Sequence, residues 1–283
     1  MKKLLALILA ALMVATFAAC SKEEEEGEDL KDYLQNDEVV NTITNEKGET
    51  FNFDMIDSET VVITKYKCGD DKHALVIPET LDGKTVVAIG EAAFRTCNAI
   101  TSVTFPATVE AIGNYAFEGC QLLTEITFPT TIKSIGKNAF GGCTGLTSVS
   151  FAEGSTVSVI ENFTFQGCTA LTAVTIPAHV KIVKQGAFIG CSALATVTVA
   201  EGVETIEAQA FQNCKALATL TLPASVTTIG AQAFSGSENL YVEGVSYPAG
   251  SAAETYFSQP DYELSEKPVE DDETTDDEGE AQA

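Results

Sequence analysis

A phenylalanine returns along this chain at nearly constant spacing, and that spacing constrains the fold more than any other feature. The successive steps are 23, 23, 25, 23, 23 and 23 residues. A fixed period in this range is typical of solenoid proteins, in which each unit stacks on the next and buries a face that it cannot bury alone. The recurring residues are Phe94, Phe117, Phe140, Phe165, Phe188, Phe211 and Phe234.

A cysteine follows each phenylalanine by three residues, except in the last repeat, where Ser237 takes its place. Because the position is the same in every repeat, we expect a ladder of small, buried, reduced thiols. Disulfides within the ladder are disfavoured, since the Cα–Cβ bonds would run parallel and not converge. Cys68 lies outside this ladder, in a predicted loop where its thiol could be reactive. The ladder residues are Cys97, Cys120, Cys143, Cys168, Cys191 and Cys214.

Each repeat has the same internal pattern, illustrated by residues 100–120. Ile100 to Pro106 alternates apolar and polar residues and predicts a strand that proline ends. A second short extended piece, a glycine turn at Gly113 and a tight turn before the cysteine follow. Two extra residues in the 25-residue step, between Phe151 and Ile160, predict a bulged loop that leaves the repeats in register. The fold predicted is a mostly β solenoid of about seven stacked repeats with parallel strands.

Both ends of the repeat array predict β caps. Residues 37–66 carry a hairpin pattern with Gly48 at the turn and a further strand from Glu59 to Tyr66. We assign residues 67–239 to the solenoid and 240–260 to a C-terminal cap, with a last strand that begins at Leu240–Val242 and a helical turn at Ala252–Phe257. Such caps are expected because the open end of a solenoid exposes its core.

The first residues predict export. Two lysines precede an apolar run from Leu4 to Ala19, which is too short to span a membrane comfortably and indicates a signal peptide over residues 1–19. The sequence Ala18-Ala19-Cys20 resembles the lipobox of bacterial lipoproteins, although Phe17 departs from it. The resemblance implies a lipid on Cys20 and an extracytoplasmic chain anchored to the cell envelope and exposed at its surface. Ordinary cleavage with a free Cys20 is the alternative.

Acidic residues dominate both flanks of the repeats. Nine acids and two lysines lie between Lys22 and Glu38, and eleven acids and one lysine follow from Asp261. Such runs are typical of solvated, disordered segments, so we assign residues 20–36 to a lipidated tether and 261–283 to an acidic tail. The acids after Cys20 also look like the surface-export signal of some outer-membrane lipoproteins. The net charge of −25 argues against nucleic acid as a partner.

The repeat resembles a named family. The pattern Leu-x-x-Val-x-Phe/Ile-Pro-x-x-Val-x-x-Ile-Gly-x-x-Ala-Phe-x-Gly-Cys is similar to the BspA-like leucine-rich repeat of bacterial surface proteins, from about Val61 to Val242. Thr164 and Ser237 depart from it. The resemblance implies a surface or secreted binding protein, sometimes an adhesin, and implies no catalytic residue.

Catalytic, cofactor and metal signals are missing from the sequence. It carries no phosphate-binding loop, no dinucleotide fingerprint and no paired cysteine motif of a zinc site. The two histidines, His73 and His179, have no partner pattern of a triad; a weak metal site at His73 is one reading, and His179 is expected to be a solvated turn residue. We therefore expect no enzyme, no cofactor and no small-molecule substrate.

The candidate binding face follows from strand alternation. Residues between the apolar positions of each first strand should point outward. A generic sheet face and a protein-binding face fit this polar, non-aromatic row equally well. We predict a non-catalytic surface lipoprotein that binds an extracellular or host protein, or alternatively a structural spacer without a specific ligand. The outward residues are Ser102, Thr104, Glu125, Thr127, Ser148, Ser150, Ala173, Thr175, Thr196, Thr198, Thr219 and Thr221.

Overall fold

The computed structural model describes residues 41–262 and Leu264. The predicted signal peptide, Cys20, the acidic tether and nearly all of the acidic tail lie outside these residues. The described chain is a mostly β solenoid of about eight turns, one more than the repeats of phenylalanine predict. The difference arises because a first strand without its own phenylalanine follows the last repeat. We call each turn of the solenoid a coil.

The first strand of every coil joins one side of the solenoid, which we call the first-strand column. Paired strands of this column are parallel, and between Ser102 and Thr221 the paired residues lie one repeat apart, as a fixed period requires. These strands are β4 (His73–Val76), β7 (Ile100–Thr104), β9 (Glu125–Phe128), β11 (Ser148–Phe151), β13 (Ala173–Ile176), β15 (Thr196–Val199), β17 (Thr219–Thr221) and β19 (Val245–Ser246).

A second, shorter strand in each coil forms the second-strand column on another side. Five residues beyond this strand lies the phenylalanine of a tight turn, and the stacked turns form the turn column, which holds the phenylalanines and the ladder cysteines. The second strands are β6 (Lys84–Ile89), β8 (Ala111–Ile112), β10 (Ser134–Ile135), β12 (Val159–Ile160), β14 (Ile182–Val183), β16 (Thr205–Ile206) and β18 (Thr228–Ile229).

The N-terminal cap extends the second-strand column by a meander. An antiparallel hairpin turns at Asn45–Gly48, and its second strand pairs with a third strand that lies parallel to β6. The apolar faces of these strands, including Phe51 and Ile63, cover the first coil. The cap strands are β1 (Asn41–Thr44), β2 (Thr50–Met55), β3 (Thr60–Lys67) and the two-residue β5 (Thr80–Leu81), which pairs with β6.

The C-terminal cap closes the turn column with tyrosine hydroxyls. The helix α1 (Ala252–Phe257) lies where a helical turn was predicted. The last strand was predicted to begin at Leu240–Val242, and this start is wrong, because a 3-10 turn (Val242–Gly244) comes first and leads into β19. In an interior coil, Phe211 donates its backbone N–H to the next coil at 2.7 Å. In the last coil, Phe234 donates to Tyr256 Oη at 3.5 Å and Gln232 donates to Tyr262 Oη at 3.0 Å. The tyrosine hydroxyls thus accept the hydrogen bonds that, in interior coils, go to backbone carbonyls of the next coil.

The seven repeated phenylalanines form one continuous buried stack. Each ring is at most 4% exposed, and neighbouring ring centroids lie 4.9 to 5.7 Å apart. The residue before the ladder cysteine has positive φ, as its glycines predict: Gly119 has φ +73°, and Asn213 has φ +60°. A left-handed residue turns the chain tightly enough for the cysteine to point back into the core.

The thiol ladder is buried, but the prediction for its first member is wrong. Cys97 forms a disulfide with Cys68, which ties the loop after β3 to the first turn. The parallel-vector argument applies only to identical positions in successive repeats, and Cys68 lies in the cap, outside that register. The remaining ladder cysteines, Cys120, Cys143, Cys168, Cys191 and Cys214, are buried free thiols.

Each free thiol of the ladder donates to a backbone carbonyl of the preceding coil. Cys120 donates to the carbonyl of Phe94 at 3.1 Å, and Cys143 donates to that of Phe117 at 3.2 Å. The other three repeat this bond at 3.2 to 3.4 Å. Ser237 Oγ is buried in the same position without a hydrogen-bond partner.

The 25-residue coil interrupts both strand columns. We call residues 148–168, with β11 and β12, the split coil: β11 pairs only with the preceding coil and β12 only with the following one. The predicted loop therefore keeps the coils in register in the turn column but not between the strands. Each strand column is consequently two sheets, one on either side of the split coil.

Candidate functional site

The outward positions of the first-strand column form the candidate site, which we call the strand face. Its side chains are exposed or half-buried, while the residues between them, such as Ile126 and Val197, are buried. The parallel register sets them in two rows along the solenoid. One row carries Ser102, Glu125, Ser148, Ala173, Thr196 and Thr219, and the other carries Thr104, Thr127, Ser150, Thr175, Thr198 and Thr221.

The strand face is flat and polar, with short side chains. Thr127 Oγ1 and Ser150 Oγ lie 2.9 Å apart on adjacent strands, so part of the hydrogen-bonding capacity is used along the row. Glu125 is the single charged residue of the predicted set. Hydroxyl groups spaced by one strand separation offer donors and acceptors to a partner surface, but they hold no reacting group in a pocket.

Sequence reasoning missed the beginning of this face. Ala74 and Val76 of β4 pair with Ser102 and Thr104, so the two rows begin one coil earlier. Val76 is 49% exposed and gives the N-terminal end of the face an apolar character that the rest does not have. The apolar residues Leu75 and Ile77 on either side of Val76 indicated a strand with Val76 pointing outward. The strand was not included in the predicted face because it lies outside the regular spacing of the phenylalanines.

Ion pairs join residues one repeat apart on other surfaces of the solenoid. Lys184 Nζ lies 2.8 Å from Glu161, and Lys133 Nζ lies 2.8 Å from Glu110. The partners sit at the same position of adjacent coils, so the pairs favour correct stacking, although exposed pairs add little stability. The full set is Arg95–Glu118, Lys133–Glu110, Lys181–Glu204, Lys184–Glu161 and Lys215–Glu238.

His73 begins β4 and contacts the N-terminal cap. Its Nε2 lies 2.9 Å from Tyr66 Oη and its Nδ1 lies 2.8 Å from the carbonyl of Asp71, so both ring nitrogens are engaged. Glu49 Oε1 lies 3.9 Å from Nε2. Burial raises the pKa of Tyr66 to about 12, with a smaller effect from Glu49. Within residues 41–262, no group of three or more metal-binding side chains comes together.

His179 lies in a turn, as the sequence predicts, but its side chain is half-buried and not solvated. Its Nε2 is buried without a hydrogen-bond partner, and its ring packs edge-on against Phe151 at a centroid distance of 5.8 Å. Desolvation lowers the pKa of this imidazole, which favours the neutral ring. The residue is adjacent to the split coil, where the packing differs from that of the other coils.

Two shallow hollows lie at the C-terminal end of the solenoid. One, of about 200 Å³, lies between Phe234 and the cap tyrosines Tyr256 and Tyr262. The other, of about 420 Å³, is lined by Asn239, Tyr241 and Gly244. Among the described residues, no helix is long and apolar enough to cross a bilayer.

Comparison with known proteins identifies the repeat. The family model of the BspA type leucine rich repeat region matches residues 75–158 and 158–248, with six copies. No curated protein matches the sequence significantly.

Solved structures give the same result. A leucine rich cell surface protein from Faecalibacterium prausnitzii is 31% identical with a TM-score of 0.60; the alignment covers 75% of this chain and 56% of that one. A leucine-rich repeat protein from Eubacterium ventriosum is 26% identical with a TM-score of 0.63, covering 76% and 53%. The chain thus spans about half the length of these two proteins. The repeat pattern, the coil geometry and the family match agree, and the chain belongs to the BspA-type leucine-rich repeat family.

Proposed function

We propose that this protein is a non-catalytic surface module that binds another protein through its strand face. The observation that supports this proposal is the strand face, in which two rows of mainly short polar side chains run along the solenoid from β7 to β17. A surface of this length and flatness suits a broad protein partner better than a small molecule, which needs a concave site. An extracellular host or matrix protein is the partner class that we favour, and adhesion is its simplest consequence.

The proposed location is the outside of the cell, with a lipid on Cys20 as the anchor. The similar protein from Faecalibacterium prausnitzii is described as a cell surface protein. The disulfide between Cys68 and Cys97 adds support, because such bonds persist mainly in oxidising, extracytoplasmic compartments. The acidic residues after Cys20 would then hold the solenoid away from the bilayer.

The second candidate is a structural spacer or coat protein without a specific ligand. It is favoured by the composition of the strand face, since exposed threonine also suits strands for reasons of propensity alone. The two candidates differ in one respect: only a binding module loses a partner when the face is altered.

The experiment compares capture of surface proteins by matched variants of the mature chain, residues 20–283. Ser148→Lys and Thr175→Lys together place two charges on the strand face, at exposed positions where stability should change by less than about 0.5 kcal/mol. Unmatched charges at a desolvated contact should abolish capture of an extracellular host or matrix protein.

Gln166→Lys with Ala231→Lys is the matched control, because it adds two charges to exposed positions of the turn column. Binding that survives the strand-face pair but fails in the control would move the site to the turn column. Failure of the wild-type chain to retain any partner would favour the spacer. Turnover of a substrate by this chain would contradict the non-catalytic assignment.

A further inference from the structure

The split coil belongs half to the N-terminal part of the solenoid and half to the C-terminal part. Its first strand, β11, extends the sheet of β7 and β9, while its second strand, β12, begins the sheet of β14 and β16. Residues 152–158 connect the two strands and contain the additional length of the repeat. Gly154, with φ +82°, lies in this connection. Each strand column is therefore interrupted, but the two interruptions lie one coil apart.

The interruption removes backbone hydrogen bonds that every neighbouring coil makes. In the first-strand column, Thr147 and Ala195 each donate a backbone N–H to the preceding coil at 2.8 Å, whereas Thr172 makes no such bond within the described residues. In the second-strand column, Lys181 donates at 2.7 Å, whereas Ser158, at the same position of the split coil, does not. At each interruption the two adjacent strands, β11 and β13 or β10 and β12, are not joined by backbone hydrogen bonds.

The turn column crosses the same region without a gap. Phe140 donates its N–H to the carbonyl of Thr164 at 2.9 Å, and Phe165 donates to that of Ala187 at 2.8 Å. Gly142 donates to the carbonyl of Gln166 at 2.7 Å. One of the three sides of the solenoid therefore carries the backbone connection between its two parts.

The phenylalanine ring of the split coil is also tilted. The ring of Phe165 is inclined by 14° to Phe140 and by 16° to Phe188, whereas the other neighbouring rings of the stack differ by 1° to 3°. On the strand side, Val149 and Phe151 are half-buried, although the corresponding residues of the adjacent coils are buried. The solenoid is thus closed at the turn column and partly open at the strands.

The split coil carries one buried hydroxyl in the turn column where the other repeats carry alanine. Thr164 Oγ1 donates to the carbonyl of Glu161 at 2.8 Å within the same coil. It also lies 3.5 Å from the carbonyl of Gly136 in the preceding coil. This polar contact adds to the backbone bonds that join the two parts of the solenoid at the turn column.

We infer that the split coil is a joint, at which residues 41–151 and 159–262 rock against each other about the turn column. In a stack with nearest-neighbour contacts only, the interface with the fewest bonds opens most readily. Opening widens the gap between β11 and β13 and changes the angle between the two halves of the strand face. The solenoid thereby adapts its curvature without unfolding a coil.

Distances between spin labels test the joint directly. Thr127→Cys with Thr175→Cys places labels on the strand face two coils apart across the split coil. Thr175→Cys with Thr221→Cys spans two coils within the C-terminal part and is the matched control. Lys137→Cys with Gln185→Cys spans two coils across the joint at exposed positions of the turn column. The native ladder thiols are buried and should remain unlabelled.

We expect a broader distance distribution for the first pair than for either of the other two. Equal widths for all three pairs would overturn the inference. If the distance distribution of the turn-column pair, Lys137→Cys with Gln185→Cys, is as broad as that of the strand-face pair across the joint, the turn column is not the pivot.

Removal of Glu153 and Gly154 restores a 23-residue step and provides a second, independent measurement. The shorter loop should allow β11 to pair with β13, so the first distribution should narrow to the width of the control pair. Amide hydrogen exchange at Thr172 should slow by at least about tenfold, because its N–H gains an acceptor. In the native chain, Thr172 and Ser158 should exchange faster than Ala195 and Lys181, and equal protection would contradict the joint. If the shortened chain does not fold, the native label distances and exchange rates still decide the question.

Discussion

The aromatic ring of Phe163 lies over Gly186 of the next coil, where a Cβ atom on the glycine would overlap the ring. Both residues occupy the left-handed position of their turns, with φ +59° and φ +62°. This position holds side chains in other coils, including Tyr115 and Gln209, so the backbone alone does not demand glycine. The glycine at 186 is explained by the ring above it.

Gly186→Ala should therefore destabilise the fold by about 1–3 kcal/mol through overpacking against Phe163. The measurement is the free energy of unfolding in a denaturant titration. In a Phe163→Ala background the same substitution should cost clearly less, because the overlap is gone and only the backbone term is left. Identical costs in both backgrounds would show that the two residues are not coupled.

Phe140→Ala should destabilise by about 3–5 kcal/mol, as expected for a fully buried phenylalanine. Phe234→Ala should cost less, because one side of this ring faces the cap aromatics Tyr256 and Phe257 and not another coil. Loss in an interior coil also weakens two interfaces of the stack. Equal losses in denaturant titrations would mean that the cap packs as well as a coil does.

Ser237→Cys should stabilise the protein by about 0.5–1.5 kcal/mol, since a thiol at this position can donate to the carbonyl of Phe211. The reverse change in an interior coil, Cys143→Ser, should destabilise by about 1–3 kcal/mol because the hydroxyl would be buried without a partner. Ser237→Ala separates the two effects: it removes the unpaired hydroxyl without adding a bond. A Ser237→Cys variant less stable than Ser237→Ala would contradict the ladder bond.

Stability should fall as the pH rises from about 9 towards 12. Burial raises the pKa of Cys120 and Cys214 from an ordinary value of 9.0 to about 12, and it raises the pKa of Cys143, Cys168 and Cys191 well above the ordinary value. Above pH 9 the unfolded chain releases these protons while the folded chain keeps them, so protons stabilise the fold in this range. Tyr66 and Tyr256 contribute in the same direction, from 10.0 to about 12.

The measurement is the denaturant midpoint at several values between pH 7 and pH 11. Cys143→Ala removes one titrating group and should flatten the dependence above pH 9. A midpoint that does not change with pH up to 11 would show that the thiols ionise freely in the folded state.

Cys20→Ala should move the full chain from the detergent phase to the aqueous phase in a phase-partition experiment. The expectation follows from Ala18-Ala19-Cys20, because acyl chains on the cysteine provide the proposed anchor. Cys68→Ala is the control, since it changes a cysteine that forms a disulfide in the cap. Retention of the Cys20→Ala chain in detergent would contradict lipidation at that residue.

The repeats could be predicted because every coil buries the same types of residue at the same positions. The period places Phe117 and Cys120 in the core, and the alternation of β9 places Glu125 and Thr127 outside, from local pattern alone. The helix at Ala252–Phe257 could also be predicted from the sequence, because its apolar residues follow a helical pattern after a loop.

The features that the sequence did not predict depend on contacts between unlike elements. Cys68 and Cys97 are separated by 29 residues and share no repeat position, so their pairing appears only once the cap folds over the first coil. The split coil likewise depends on how two added residues are distributed in space. The spacing of the repeats shows that two residues are inserted. It does not show that β11 stays paired with β9 while β12 pairs with β14. The anchor at Cys20 remains a prediction from the sequence.

The tyrosine hydroxyls that end the turn column have an evolutionary consequence. Tyr256 and Tyr262 satisfy the donors of whichever coil comes last, because they bind backbone N–H groups and not a particular side chain. Duplication or loss of a whole coil in the interior would therefore leave both ends intact. Lineages can lengthen or shorten such a protein in steps of 23 residues, and the area offered to a partner changes in proportion.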